Sequence, residues 1–89
     1  MRDEKHIQNK EIYEKIHLMS NVMRFRILEL TQNKSLSITE LSSYLNLSYT
    51  KCADYVRMLK SVDLVTKTKI GKEVRVRSKI IIYQNKLVL

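Results

Sequence analysis

Apolar positions follow a helical period as far as Lys60 and a period of two beyond it. The sharpest pattern lies between Ile38 and Lys60. Leu41 and Leu45 stand one turn apart, and Cys52, Val56 and Leu59 recur at helical spacing. Two short helices joined by a tight turn are predicted. Thr39 is the expected N-cap of the first, with Glu40 at the positive end of its dipole. Asn46 suits the left-handed turn, Leu47 plugs the corner, and Ser48 caps the second helix. Opposite the inward stripe of that second helix fall Tyr49, Thr50, Ala53, Asp54 and Arg57. The small Ala53 lets this face approach another surface closely. The layout is that of a helix-turn-helix, whose second helix enters the DNA major groove. A helical hairpin inside any small domain shares the same local pattern.

Upstream, residues 3–18 are predicted helical, with Ile7, Ile12, Ile16 and Met19 on a broad apolar side beside Tyr13. Glu11 and Lys15 make a favourable pair one turn apart. This helix either contacts a second subunit or covers its own core. Ser20 and Asn21 form a joint, and a further helix is expected from Val22 to about Thr31. In it Phe25, Ile27 and Leu28 point inward, Arg24 and Glu29 face out, and Arg26 faces out or reaches toward a DNA backbone. The polar run from Gln32 to Ser37 ends the helix, and Ile38 is read as a one-residue piece of strand.

After Lys60 the residues Leu64-Val-Thr-Lys-Thr-Lys-Ile70 and Glu73-Val-Arg-Val-Arg-Ser78 are β-branched or alternating. Val74 and Val76 take one face, Arg75 and Arg77 the other. Between the two runs sits Gly71, the only glycine in a chain without proline. A two-stranded hairpin turning at Gly71 follows, with Lys69 and Lys72 at its tip and Lys67, Arg75 and Arg77 along it. Such a basic hairpin is either a wing that grips phosphate or a solvated edge guarded by lysines. The tail from Lys79 to Leu89 reads as strand through its three isoleucines, or as a short helix through Ile80, Tyr83 or Gln84, and Leu87. It is too apolar to stay in solvent, so it completes the core or pairs with another subunit.

Composition narrows the function. A chain of 89 residues makes one domain, 1–89, whose modest buried surface a dimer would augment. There is no run of about 18 apolar residues to span a membrane. The charged N-terminus lacks a signal core, and the single cysteine, Cys52, fits a reducing compartment and a place in the core. A cytoplasmic, nucleoid-associated protein is expected. The formal charge of +8 is uneven: residues 1–20 carry four basic and four acidic side chains, 21–60 six and three, and 61–89 seven and two. A polyanion partner follows. Anionic membrane is the competing polyanion, but no basic amphipathic helix with a broad aromatic face occurs. Solubility alone is the plain alternative.

His6 and His17 lie about 16 Å apart along one helix, too far to share a metal ion. No glycine-rich phosphate loop, histidine–cysteine pairing or paired carboxylates in an apolar setting point to an enzyme, a cofactor or a metal.

Residues 18–77 resemble the winged helix-turn-helix of ArsR- and MarR-like transcription regulators. Met23-Arg-Phe-Arg-Ile-Leu-Glu-Leu30 is similar to the arginine-containing helix that opens the ArsR-like domain. Ile38-Thr-Glu-Leu and Leu45-Asn-Leu-Ser48 resemble the helix, turn and cap of its reading motif, and Tyr55-Val-Arg-Met-Leu-Lys60 the end of its recognition helix. Val62-Asp-Leu-Val65 stands where a Gly-Leu-Val step into the wing is common, and Asn21 where a turn proline is common. Ser42, Ser43 and Tyr44 replace the paired-cysteine region of the metal-sensing members, so thiol-ligated metal sensing is not implied.

The resemblance implies an α+β, mainly α fold: a three-helix core, a two-stranded wing over 64–78, the helix-turn-helix over 38–60, and an extra N-terminal helix. It implies a dimeric, sequence-specific double-stranded DNA-binding regulator, read as a repressor without an evident small-molecule ligand. Tyr49, Thr50 and Ala53 would face bases, Arg57 guanine or a phosphate, and Asp54 would orient Arg57 or accept from cytosine. Ser48, Lys51 and Lys60 would hold the backbone, and Lys67, Lys69, Lys72, Arg75 and Arg77 would form the wing contact. A non-specific DNA packer and a protein-interaction module, using the tail as its contact, are the alternatives. The homodimer contact is expected in the N-terminal helix, the tail or both.

Overall fold

A computed structural model describes the backbone of residues 2–83 and 86–88 and the side chains of 10–82. The order of elements is α1 (Arg2–Met19), α2 (Val22–Thr31), β1 (Leu36–Ser37), α3 (Ile38–Leu45), α4 (Tyr49–Ser61), β2 (Val65–Ile70), β3 (Glu73–Ser78), β4 (Ile81–Tyr83) and β5 (Lys86–Val88). The strands β1, β3 and β2 form an antiparallel sheet in that order, and β4 pairs with β5 in a separate hairpin.

Local chemistry places the helix ends. Asn21 caps α2 by accepting from the amides of Met23 and Arg24. Asn46 closes α3 in the left-handed conformation, φ 56° and ψ 45°, and Leu47 donates back to the Ser42 carbonyl. Ser48 caps α4, its hydroxyl accepting from the Lys51 amide. Thr39 is not the cap of α3. Ser37 is: its Oγ accepts from the Glu40 amide at 3.0 Å, while a Glu40 carboxylate oxygen accepts from the Ser37 amide at 2.9 Å. The spacing Ser37-x-x-Glu40 permits this reciprocal box, and it satisfies two donors where Thr39 could satisfy one. The short strand falls correspondingly on Leu36–Ser37 and not on Ile38, which opens the helix.

The core is shared among all these layers. Ile27 and Leu28 of α2, Leu41 of α3, Cys52, Val56 and Leu59 of α4, and Leu64, Val65 and Val76 of the sheet region are buried together. Leu47 packs against them from the corner. Cys52 is a core residue, and burial raises its thiol pKa, since the thiolate would lose its hydration. Phe25 is half-buried against the cluster. Of the apolar side expected on α1, Met19 alone is buried among the described side chains; Ile12, Tyr13 and Ile16 are exposed. Ile7 and His6 lie outside the described side chains.

The tail resolves the choice between strand and helix in favour of strand. Gln32 accepts from the Ile82 amide through its side-chain carbonyl at 2.7 Å, which ties β4 to the end of α2, and Ile82 is buried. The Tyr83, Gln84 and Leu87 side chains lie outside the described residues.

The passage from α4 into β2 is short and held by backbone hydrogen bonds. Asp63 takes the left-handed conformation, φ 63°, a conformation that glycine adopts at less cost. Its amide donates to the Lys60 carbonyl, Leu64 donates to Leu59, and Lys79 donates to Leu64. The Lys79 ammonium completes the junction with an ion pair to Asp63 at 2.7 Å. That pairing holds the Asp63 carboxyl below its ordinary pKa.

Candidate nucleic-acid interface

Helix α4 turns its apolar stripe into the core, which fixes what it shows to solvent. Tyr49, Thr50, Lys51, Arg57 and Lys60 are exposed, with Ala53 and Asp54 half-buried among them. Asp54 pairs with Arg57 at 2.9 Å, so the guanidinium is held against the helix surface one turn beyond the carboxylate. The Ser48 hydroxyl is engaged in the cap yet remains at the surface. The residues expected to read a partner thus stand on the open side of one helix.

The hairpin is less uniform than its sequence suggests. Gly71 makes the turn at φ +61°, and Lys72 beside it forms the tip. Lys69 is inside the strand, opposite Val74, and Lys67 is opposite Val76. Directly opposed residues share a face of an antiparallel sheet, so Lys67 and Lys69 continue the face that carries the core valines. Arg77 opposes Thr66 and Arg75 opposes Thr68, which puts both arginines on the outer face. The hairpin therefore carries positive charge on both faces and at its tip, not along one line.

Arg75 differs from the other four. Its guanidinium donates to the Ser35 hydroxyl at 3.1 Å, the Ser35 carbonyl at 3.0 Å and Glu73 at 3.0 Å, and it lies 3.7 Å from Glu40. Its side chain is 27% exposed. The expected backbone-contacting arginine is thus tied into the sheet and the α3 cap. The reason is the third strand: β1 pairs with β3 and brings Ser35 and Glu40 to the side of Arg75. Glu40, donated to by the Ser37 amide and close to Arg75, has its pKa lowered.

Arg24 too departs from the helical pattern, which points it to solvent. Arg24 does not face out freely. Its Nε donates to the Leu18 carbonyl, its Nη1 reaches the Met58 sulfur at 3.6 Å, and its guanidinium carbon lies 5.5 Å from the centre of the Tyr55 ring. The Lys51 ammonium lies 5.2 Å from the same ring centre. Lys51 and Tyr55 are one turn apart, which the sequence could have shown; Arg24 comes from α2, and no local spacing announces it. Glu29 is half-buried and pairs with Arg26 at 3.5 Å.

Three helices ending in an exposed polar helix, followed at once by an antiparallel hairpin pinned by a short third strand, decide the architecture. This is a winged helix-turn-helix fold. HlyU from Vibrio cholerae in its reduced form superposes with a TM-score of 0.77 and 27% identity, over 84% of this chain and 79% of that one. The transcriptional regulator HlyU from Vibrio vulnificus superposes at 0.71 with 29% identity, over 89% of this chain and 83% of that one. The homodimeric winged helix-turn-helix DNA-binding domain Mb0332 from Mycobacterium bovis, a possible ArsR-family transcriptional regulator, superposes at 0.80 with 20% identity, over 85% and 70%. No family model matches the chain, and no curated protein matches it.

In this fold α3 and α4 form the helix-turn-helix and the β2–β3 hairpin is the wing. The neighbours are regulators, not enzymes. Among the described residues no three His, Cys, Asp or Glu side chains gather to hold a metal ion, and no helix is long and apolar enough to cross a membrane.

Proposed function

We propose that the chain is a sequence-specific double-stranded DNA-binding transcriptional regulator that acts as a homodimer and represses by occluding a promoter. The observation that carries this reading is helix α4, whose stripe Cys52, Val56 and Leu59 is buried and whose outward face holds Tyr49, Thr50 and an Arg57 paired with Asp54. Tyr49, Thr50 and Ala53 meet base edges, and Arg57 takes guanine or a phosphate. Ser48, Lys51 and Lys60 hold the backbone beside the groove. On the wing, Lys67, Lys69, Lys72 and Arg77 take phosphates, and Arg75 sets the wing's position instead of touching DNA.

The exposed Ile12, Tyr13 and Ile16 of α1 support dimerisation, as does the homodimeric state of the Mycobacterium bovis neighbour. Two recognition helices about 34 Å apart then meet successive major grooves of a near-palindromic site. Selecting bound sequences from a random DNA pool, then titrating the selected and random duplexes over a salt series, tests this. A preference on the order of 10³ or more supports a specific regulator, and a ratio near one makes the protein a packer. No DNA binding at moderate salt, with a stable hetero-complex, would make it an interaction module. Arg57→Ala is expected to lose about 1–3 kcal/mol at the selected site and to relax base choice there.

A further inference from the structure

The described arginines and lysines divide by their company. Arg26 has Glu29, Arg57 has Asp54, Arg75 has Glu73 and Glu40, and Lys79 has Asp63. Arg24 and Lys51 have no carboxylate among the described residues, yet both are brought to the same aromatic ring, Tyr55. The ring's negative face attracts each cation, and an anion at this flank of α4 would supply the charge pairing that no described carboxylate gives them.

The site is also built. Arg24 is held by the Leu18 carbonyl, the Met58 sulfur and the Tyr55 face, so its guanidinium has little freedom left to lose. Its remaining N–H groups have no partner among the described residues. Lys51 sits in the first turn of α4, on the flank that faces α2, and is exposed. Asp54, Thr50 and Arg57 lie around the helix from it, on the outward side.

We propose that Arg24, Tyr55 and Lys51 form a phosphate clamp that grips one DNA strand along the α2 flank of the recognition helix, with Tyr55 as the residue that positions both cations. The inference rests on the DNA-binding reading and extends it to α2, an element outside the reading motif and the wing. The clamp reads no bases. It sets how deep and at what tilt α4 lies in the groove.

The test measures binding of a selected duplex by fluorescence anisotropy over a salt series, with circular dichroism to confirm folding. Arg24→Gln and Lys51→Gln should each weaken binding on the order of fivefold near physiological salt and flatten the log–log salt slope by about one; the double variant should flatten it by about two. Base preference should not change. Tyr55→Leu should keep the slope, because both charges remain, and lose affinity, because they are no longer held. On the parent protein, ethylating individual phosphates should reveal positions that interfere with binding and that stop interfering for Arg24→Gln. Should Arg24→Gln fail to fold, Arg24→Lys takes its place, with the slope kept and affinity reduced. A folded Arg24 variant that matches the parent in affinity and slope overturns the clamp and leaves the regulator reading standing. A parent protein that binds no duplex overturns both.

Discussion

Along α4 the residues Cys52, Val56 and Leu59 are sealed in the core while Thr50 and Arg57 stand in solvent. Along α1 the described part shows the reverse: Ile12, Tyr13 and Ile16 are in solvent, with Met19 buried at the end. Both helices have apolar residues at helical spacing. The difference is what lies opposite. α4 packs on α2, α3, the sheet and α1, so its rotation about its own axis is set within the chain. The exposed stripe of α1 has no such counterpart among the described residues. Apolar residues at helical spacing are therefore not enough to place a stripe in the core; the elements packed opposite decide it.

The comparison can be broken most forcefully in the core. Leu59→Ala should lower unfolding free energy by about 2–5 kcal/mol in urea titration, equally at every protein concentration. Ile16→Ala should change the fold's own stability by about 0.5 kcal/mol or less and, on the proposed homodimer, instead raise the dissociation constant in sedimentation equilibrium. Equal losses from the two substitutions in dilute protein would show that α1 belongs to the core.

A smaller effect separates Arg75 from the other wing cations. Arg75→Gln should cost about 1 kcal/mol of stability, a figure discounted for the exposed part of its ion pairs. It should also speed amide exchange across β1 and β3. Lys72→Ala should leave exchange there unchanged. The same network predicts a pH dependence. Glu40 has a folded pKa below its unfolded one, so its contribution is present above the unfolded value. It is lost as pH falls through the lowered folded value. Thermal melts taken between neutral pH and pH 3 should show an acid loss that is reduced in Glu40→Gln.

The smallest expected change is at the α4–β2 junction. Asp63→Gly relieves a left-handed side-chain residue but removes the Lys79 ion pair. The two effects oppose each other, and the melting temperature should stay within a few degrees of the parent's. A melting temperature far outside that range would mean that one of them dominates.

Much of this architecture could be read from short spacings. The stripe Cys52–Val56–Leu59, the caps at Asn21 and Ser48, the left-handed Asn46 and the turn at Gly71 each depend on neighbours within a turn or two. What stayed hidden depends on distant partners. Arg75 finds Ser35 across the sheet, and Arg24 finds Tyr55 across two helices. Strand alternation separated Val74 and Val76 from Arg75 and Arg77, but the face taken by Lys67 and Lys69 depends on register, which the Gly71–Lys72 turn sets. At the α3 cap Ser37 and Thr39 both carry a hydroxyl, and the signal that separates them is Glu40, three residues after Ser37 alone, confirmed by the extended backbone there. The tail fitted two periods at once, and its bond to Gln32 lies far outside any local window.

The hydrogen bonds around Asp63 join α4 directly to the wing. On the DNA-binding reading, the two move as one rigid jaw with a fixed gauge. A duplex whose groove and neighbouring backbone do not match that gauge has to bend or twist to fit. Part of the choice among targets then falls to the stiffness of the DNA, at base pairs that no side chain touches.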